Sequence, residues 1–299
     1  MIKQPPYLKK GDKIAIVCPA NKLKKSIASA IALLEDWGLQ VIIGKSVHSE
    51  HFNFAGDDDL RASDLQSFLD DKSIKAILAA RGGYGGIRII DKLDFSIFKE
   101  SPKWIVGFSD TTTFLSHANS ALNTQSIHGQ MPASYEGGSP LSLETLRKAL
   151  FGENLKYLYT STFPNRAGQA EAVLIGGNLS LLVAMTGSIS EMDYTNKILF
   201  LEDVGEQEYA IDRMLRMMKR SGKLAHLKGL IIGAFNNIEP QEIPFGQTPE
   251  ELILEIVSEY DYPVCFNFPV GHIPDNQALI IGRNAILHVK SHEVTLSYQ

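Results

Sequence analysis

The amino-acid sequence predicts an α/β protein with a doubly wound, mostly parallel sheet in an N-terminal domain and a smaller C-terminal α/β domain rich in short strands. In the first half, short apolar runs alternate with stretches of helical periodicity, a pattern typical of parallel strands joined by helices. Residues 135–170 are rich in turn-forming and polar residues, which indicates a domain boundary. The closing segment, 278–298, consists mostly of short β-type runs.

The elements of the first half follow from their residue patterns in chain order. Apolar runs predict four buried strands, at 13–19, 39–44, 74–80 and 104–108. Apolar residues recurring every three or four positions predict a helix over 26–37. A second helix is predicted over 57–71, where aspartates at its start favour the helix dipole. This order of elements indicates a flavodoxin- or Rossmann-like first domain.

The second half contains further strand and helix patterns. Strands are predicted at 197–203, 228–235 and 285–289, and helices at 178–186, 207–221 and 248–260. A short helix is predicted at 142–150, inside the turn-rich boundary. We therefore divide the chain into an N-terminal domain at 1–140, a linker at 141–170 and a C-terminal domain at 171–299.

Composition excludes several classes of protein. The 299 residues include 29 Lys and Arg against 34 Asp and Glu, a net charge of −5, so the basic surface of a nucleic-acid-binding protein is not expected. Cys18 and Cys265 lie in apolar runs without a C-x-x-C pattern, which excludes a disulfide framework or zinc knuckle and favours buried thiols. The N-terminal apolar run, 14–17, is too short for a signal peptide or membrane helix. We expect a cytoplasmic protein that binds neither nucleic acid nor membrane.

The stretch KWIVGFSDTTTFLSHA (103–118) holds the first candidate for chemistry. A buried strand runs into Ser109 and Asp110 and a helix follows at once, so the serine hydroxyl is predicted at the carboxyl edge of the sheet, where backbone N–H groups can stabilise an oxyanion. The match to G-x-S-x-G is incomplete, because Thr111 replaces the second glycine. Taken alone, the stretch fits better a simpler interpretation, in which Ser109 or Asp110 only caps the helix.

The glycine-rich stretch RGGYGGIR (81–88) follows the third predicted strand. Glycines let a backbone approach a ligand closely and leave its N–H groups unshielded. The dinucleotide pattern G-x-G-x-x-G fails because Arg88 stands at its last position, and no G-K-[ST] of a P-loop occurs. Two interpretations remain open: a loop that donates an N–H to an oxyanion, and a plain tight turn.

A nucleophilic serine needs a base, and the base needs a carboxylate to orient it. Among eight histidines, His272 lies in a loop bounded by glycine and proline after a strand, where catalytic side chains are common. His128, in SIHGQMP, is its rival. Glu202 lies where an apolar strand ends, and a carboxylate there is costly to bury without a partner. An ion pair with an arginine is the alternative explanation of Glu202.

Five motifs follow one another along the chain. They are RGGYGG, VGFSD, LIGGNLSLL (174–182), FLEDVGEQEYAIDRML (200–215) and PVGHIPDN (269–276). In this order and spacing they resemble the LD-carboxypeptidases, the serine peptidase family that includes muramoyltetrapeptide carboxypeptidase. The likeness extends from KGDKIAIVCPA near the N-terminus to the last strands, and five ordered motifs are far more specific than any one of them.

The resemblance implies a triad in which Ser109 is the nucleophile, His272 the general base and Glu202 the residue that orients the histidine. The family's oxyanion hole would use the backbone N–H of Asp110 and one from the glycine-rich loop, that of Gly83. Because the serine belongs to the first predicted domain and the other two residues to the second, the resemblance implies an active site in the cleft between the domains.

The family removes the terminal D-alanine from murein tetrapeptides during cell-wall recycling, in the cytoplasm, as dimers that need no metal and no cofactor. For this chain the resemblance therefore implies a murein peptide as substrate and a homodimer. Arg81 or a helix N-terminus would bind the terminal carboxylate, although a structural salt bridge is the favoured explanation of Arg81. Asn178 is a further candidate at the cleft, in a segment whose leucines indicate core positions.

Two other functions are kept as alternatives. Relatives that resemble microcin immunity proteins use the same triad on acyl-adenylate antibiotics, but they tend to be longer, with an aromatic-bearing loop over the site. No tryptophan lies between Glu202 and His272 in this chain. A non-catalytic, Rossmann-like binding module is the alternative from another class, and the failed dinucleotide pattern and absent P-loop weigh against it.

Overall fold

Two β-sheets with their helices make up the protein in a computed structural model that describes residues 2–238 and 242–299. The strands are β1 (Lys13–Val17), β2 (Gln40–Ile43), β3 (Ile74–Ala79), β4 (Trp104–Gly107), β5 (Ser126–His128), β6 (Lys156–Thr160), β7 (Gly168–Asn178), β8 (Ile198–Val204), β9 (Gly229–Asn236), β10 (Val264–Cys265), β11 (Leu279–Ile281), β12 (Asn284–Val289) and β13 (Glu293–Tyr298). The α-helices are α1 (Ala28–Asp36), α2 (Asp58–Asp70), α3 (Gly86–Ile89), α4 (Ser96–Glu100), α5 (Thr112–Ser120), α6 (Pro140–Phe151), α7 (Leu179–Ala184), α8 (Glu208–Arg220) and α9 (Pro249–Ile256).

The sheet of the first unit has the strand order β11-β5-β4-β3-β1-β2. Strands β1 to β5 run parallel to one another, and β11 pairs antiparallel with β5. Nearly every residue of β1, β3 and β4 is buried, because parallel strands of this kind are covered on both faces, and each is therefore a continuous apolar run in the sequence. The loops that follow these strands lie at the carboxyl edge, the usual position of ligand sites in such sheets.

The sheet of the second unit has the order β10-β9-β8-β7-β12-β13-β6. Strands β7 to β10 are parallel, whereas β12 and β13 form antiparallel pairs with β7, β6 and each other. Gly176 in β7 has a φ of +140°, and a Cβ atom there would lie 2.0 Å from the carbonyl oxygen of Phe200 in β8. Only glycine lets the two strands pair at this point, two residues before β7 ends.

The predicted α/β class, with a mostly parallel sheet and a second sheet of short strands, is confirmed. The chain divides into one unit containing the residues up to Asn154 with Pro274–Gly282, and a second containing Leu155–Ile273 with Arg283–Gln299. This differs from the division predicted from the sequence, because β11 returns to pair with β5. A strand of three residues carries no periodicity that shows which sheet it joins.

The two cysteines are free and buried, as their apolar surroundings predict. Burial raises the pKa of each thiol to about 12, so both stay protonated at neutral pH. Within the described residues, no helix combines the length and apolar character needed to cross a membrane, and no three His, Cys, Asp or Glu side chains cluster in a way that could hold a metal ion.

Candidate active site

Ser109 lies on a strained turn between β4 and α5. Its φ is +61°, in the left-handed region that residues other than glycine rarely adopt. A 3₁₀ segment, Ser109–Thr111, leads from the strand into the helix. A strained strand-to-helix turn of this kind presents a serine hydroxyl at the carboxyl edge of a sheet, as the nucleophile elbow of serine hydrolases does.

The capping interpretation of this turn is wrong. Within the part of the chain that the structure describes, no side chain caps the 3₁₀ segment or α5, whose N-cap positions are Phe108 and Thr111. The carboxylate of Asp110 instead accepts hydrogen bonds from the backbone N–H groups of Gly85, at 3.2 Å, and Gly86, at 2.7 Å. The residue after the serine is therefore tied to the glycine-rich loop that follows β3.

Glycine at two positions permits the close packing around Ser109. A Cβ atom at Gly82 would lie 3.0 Å from Cβ and 3.2 Å from Oγ of Ser109, so the glycine-rich loop passes directly beside this serine. A Cβ atom at Gly107, whose φ is +155°, would lie 2.8 Å from Cγ2 of Thr111. The backbone of the loop therefore borders Ser109, near an oxyanion that would form there.

Asp110 is 1% exposed, so its carboxyl group lies in the protein interior. Burial raises its pKa to about 6, while the N–H groups of Gly86 and Gly85 and the positive charge of Arg61 act in the opposite direction. The group is therefore ionised at neutral pH, and mild acid is enough to protonate it.

Glu202 and His272 form a hydrogen-bonded pair in the second unit. Glu202, near the end of β8, is fully buried, and its Oε2 lies 2.8 Å from Nδ1 of His272. Burial raises the pKa of Glu202, and the bond to His272 opposes that shift. A carboxylate at Nδ1 selects the tautomer that leaves Nε2 as a proton acceptor, as in serine hydrolases. The alternative explanation of Glu202, an arginine ion pair, is wrong.

Two neighbours hold His272 against Glu202. Gly271 has a φ of +113°, and a Cβ atom there would lie 2.9 Å from both Cβ and Oε2 of Glu202, so any side chain would displace the carboxylate. Asn236, at the end of β9, donates from Nδ2 to the carbonyl oxygen of His272 at 2.6 Å. The side chain of His272 keeps 20% of its surface exposed, whereas its carboxylate partner keeps none.

Asn178 stands beside Glu202 in the register between β7 and β8. Its Oδ1 accepts from the N–H of Leu181 at 3.2 Å, which caps α7, and its Nδ2 donates to Oδ1 of Asp203 at 2.8 Å. A hydrogen bond from Asn178 also acts to lower the pKa of Glu202. Asn178 therefore connects the start of α7 to the carboxylates of β8, and its contact with a substrate stays a prediction.

Arg81 follows β3 at the start of the glycine-rich loop. The favoured expectation of a structural salt bridge is wrong, because within residues 2–238 and 242–299 Arg81 pairs with no carboxylate. Its Nη1 donates to the carbonyl oxygen of Lys22 at 2.7 Å. Arg81 is half-buried, so its charge is partly shielded from water.

His128, the rival base, is fully buried in β5. Its Nε2 lies 3.2 Å from Oδ1 of Asn276, and its ring centroid lies 5.7 Å from that of Phe108. Neither of these contacts is a carboxylate that would prepare a general base. The geometry therefore favours His272 in that role.

Sequence reasoning missed Arg61, a buried residue of α2 that is 1% exposed. Its Nη1 donates to the carbonyl oxygens of Pro19, at 2.5 Å, and Gly85, at 3.1 Å. A signal was present in the sequence: Arg61 precedes Leu65 and Leu69 at spacings of four residues and so shares their buried helix face.

The two units carry the components of a serine hydrolase: a serine on a strained turn in the first, and a buried carboxylate bonded to an imidazole in the second. Comparison with known proteins shows which family of serine hydrolases the chain belongs to. Residues 14–129 match the profile of the LD-carboxypeptidase N-terminal domain, and residues 171–287 match that of the LD-carboxypeptidase C-terminal domain. The chain belongs to the LD-carboxypeptidase family, which makes it a serine-type carboxypeptidase.

Relatives cover nearly the whole chain. The probable murein peptide carboxypeptidase of Bacillus subtilis is 35% identical over 295 residues, which are 95% of this chain and 91% of that protein. The murein tetrapeptide carboxypeptidase of Pseudomonas aeruginosa is 29% identical, over 92% of each chain. The family resemblance carried by the five motifs is thereby confirmed.

Solved structures share the fold. The muramoyltetrapeptide carboxypeptidase from Oxalobacter formigenes has a TM-score of 0.87 at 28% identity, covering 96% of this chain and 98% of that one. The microcin self-immunity protein MccF in complex with aspartyl sulfamoyl adenosine also has a TM-score of 0.87, at 21% identity, covering 100% and 99%. Because the second likeness concerns the fold alone, the antibiotic-cleaving alternative has no better support than the carboxypeptidase.

Proposed function

We propose that the protein releases the C-terminal D-alanine of murein tetrapeptides, cutting between the L-configured centre of a diamino acid and D-alanine. The observation that carries the chemistry is the hydrogen bond between buried Oε2 of Glu202 and Nδ1 of His272, because it prepares a general base. The substrate class is supported by the relatives in Bacillus subtilis and Pseudomonas aeruginosa, which are named for murein peptides.

In the proposed mechanism Oγ of Ser109 attacks the scissile carbonyl carbon while Nε2 of His272 takes its proton. The backbone N–H groups of Asp110 and Gly83 bind the oxyanion, a role supported by the close approach of the glycine-rich loop to Ser109. His272 then gives the proton to the D-alanine nitrogen as the C–N bond breaks. Water, deprotonated by His272, hydrolyses the acyl-enzyme and restores the serine.

Glu202 acts through the histidine in this mechanism. Its carboxylate holds the imidazole in the required tautomer and stabilises the imidazolium that forms when Ser109 loses its proton. Full burial strengthens this interaction, because little water surrounds the carboxylate to screen its charge. No metal ion or cofactor takes part in the proposed steps.

Two further residues are proposed to contact the substrate. Arg81 would bind the terminal carboxylate; its half-buried guanidinium, next to Gly82 and without a carboxylate partner among the described residues, supports this role. Asn178 would line the substrate near Glu202, which its position in register with that residue supports.

Release of D-alanine from L-Ala-γ-D-Glu-diaminopimelate-D-Ala, measured by chromatography, tests the function. A matched peptide with a C-terminal amide is expected to react at least about 100-fold more slowly, since it leaves the half-buried cation of Arg81 without an anionic partner. Arg81→Gln is expected to remove most of this discrimination. No release from either peptide by folded protein would contradict the proposed function, and equal rates on both would contradict the role of Arg81.

We also propose that the protein acts as a homodimer in the cytoplasm, which the family resemblance supports. Light scattering is expected to give twice the chain mass at assay concentrations, and fractionation of cells is expected to recover the protein with the cytoplasmic fraction. The mass of a monomer would contradict the proposed homodimer. Recovery of the protein with another cell fraction would contradict the proposed cytoplasmic location.

A further inference from the structure

Two buried ionic side chains hold the glycine-rich loop from opposite sides. Asp110 accepts the N–H groups of Gly85 and Gly86, whereas Arg61 donates to the carbonyl oxygen of Gly85 at 3.1 Å. Both polar groups of the Gly85 backbone are therefore bonded to buried charges. The fit at Gly86 is tight, since a Cβ atom there would lie 2.7 Å from Oδ2 of Asp110.

We call the side chains of Asp110 and Arg61, with their bonds to the glycine-rich loop, the loop clamp. Arg61 extends this clamp to the neighbouring loop. Its Nη1 also donates to the carbonyl oxygen of Pro19, after β1, and its Nε donates to that of Gly56 at 3.3 Å. Its Nη2 pairs with Asp58. One guanidinium thus joins the loop after β1, the loop after β3 and the start of α2, and Asp110 joins the same assembly to the nucleophile turn.

A loop of this composition needs such a clamp. Gly83 and Gly85 have φ values of +116° and +145°, and glycine loses more conformational freedom on ordering than any other residue. A donor to an oxyanion has to stay within a few tenths of an ångström of its position to be effective. Glycine permits the loop to approach Ser109, but glycine alone does not keep it there.

We propose that the carboxylate of Asp110 and the guanidinium of Arg61 are positioning residues, which fix the loop so that its N–H donor meets the oxyanion formed at Ser109, and that the carboxylate does so only when ionised. This inference rests on the acyl-transfer function proposed above. It concerns the two side chains, whereas the mechanism uses Asp110 through its backbone N–H.

Protonation weakens the clamp. Ionised, the carboxylate accepts one N–H at each oxygen; protonated, one oxygen becomes a hydroxyl group, which is a weaker acceptor for the N–H that it faces. Burial raises the pKa of Asp110 to about 6, so this change falls within an assayable range. The charged group facing Asp110 is Arg61 from α2, while Phe114 of α5 and the glycine backbone contribute no charge, and Arg88 of α3 is bonded to Asp58.

The first unit offers a matched control. Asp64 is 5% exposed, and its carboxylate accepts the backbone N–H groups of Lys45 and Ser46, each at 2.9 Å. It thus holds the loop after β2 as Asp110 holds the loop after β3. β2 is separated from β4 by two other strands, and the hydrogen bonds of the Asp64 carboxylate go to Lys45 and Ser46 and not to the glycine-rich loop.

The test compares wild type, Asp110→Asn and Asp64→Asn in D-alanine release between pH 5 and 9, with thermal unfolding measured alongside. Asp110→Asn should lower kcat about 100-fold, as loss of one oxyanion donor does, with KM within about twofold. Its rate should fall less steeply in acid than that of the wild type, because one of the protonations that stop the reaction is removed while the need for an unprotonated base stays. Asp64→Asn should lose stability but keep the kcat and the pH profile of the wild type. Arg61→Lys should lower kcat about tenfold, the equivalent of losing one charged hydrogen bond. This second variant tests the proposal if Asp110→Asn does not fold.

Three outcomes would overturn the proposal. One is an unchanged kcat or an unchanged acid limb in Asp110→Asn, or an unchanged kcat in Arg61→Lys if only that variant folds. Another is an equal loss of kcat in Asp110→Asn and Asp64→Asn. That result would mean that both carboxylates stabilise the fold and that Asp110 does not position the oxyanion donor. Absence of release by the wild type would instead contradict the proposed function on which the inference rests.

Discussion

The nucleophile turn and the carboxylate–histidine pair are prepared by different means. At Ser109 the backbone does the preparation: a φ of +61°, a glycine before the turn and a glycine loop beside it. At His272 the side chains do it, through a buried carboxylate whose raised pKa reflects the cost of its charge. The nucleophile turn therefore depends on the shape of the backbone, and the carboxylate–histidine pair depends on charge. Substitutions that change only shape or only charge should distinguish the contributions of the two regions.

Of the substitutions that separate the two regions, the one that removes the charge in the second region is expected to have the largest effect. Glu202→Gln keeps the size of the side chain but no longer selects the required tautomer of His272, so kcat should fall roughly 10⁴-fold with little change in KM. Glu191→Gln, which removes the carboxylate paired with Lys223 in the same unit, serves as the control. Steady-state kinetics check this, and near-normal activity of Glu202→Gln would mean that the buried pair is only structural.

A smaller effect is expected from changing the shape of the first region. In Gly82→Ala the new methyl group would stand 3.0 Å from Cβ of Ser109, so the nucleophile or the loop must shift. We expect kcat/KM to fall about 100-fold, with the pH profile unchanged. Gly137→Ala, where the added methyl group meets no atom within 4 Å, should behave as wild type. Equal activity of the two variants would show that a methyl group at position 82 does not disturb Ser109.

The smallest effect concerns stability. Because the pKa of Asp110 rises from 3.8 to about 6 on folding, its protonated form stabilises the native state, and this contribution is lost as pH rises through 6. Calorimetry should therefore show Tm of the wild type falling by a few degrees relative to Asp110→Asn between pH 4 and pH 6.5. Parallel Tm curves for the two proteins would show that Asp110 does not titrate in this range.

The sequence predicts the parts of the molecule that depend on local patterns. Buried parallel strands such as β3 and β4 are recognisable as apolar runs, and the glycine two positions before Ser109 indicates a sharp turn. His272 was separated from seven other histidines only by its loop context and by the family resemblance, because a pattern in one segment does not show which distant carboxylate it meets.

Interactions between distant segments account for what was missed. Capping is the usual role of an aspartate at a helix start, but Asp110 bonds to a loop 24 residues earlier, and no local pattern distinguishes the two. Arg81 was expected in a salt bridge, yet its described partner is a backbone carbonyl. The return of β11 to the first sheet likewise depends on pairing with β5, more than 140 residues earlier in the chain.

The proposed mechanism depends above all on Ser109, the nucleophile of the carboxypeptidase. The most direct measurement is D-alanine release from L-Ala-γ-D-Glu-diaminopimelate-D-Ala by wild type and by Ser109→Ala, both verified as folded by circular dichroism. Release by the wild type and a loss on the order of 10⁶-fold in kcat for the variant are expected. Release by Ser109→Ala at a rate comparable with that of the wild type would show that Ser109 is not the nucleophile.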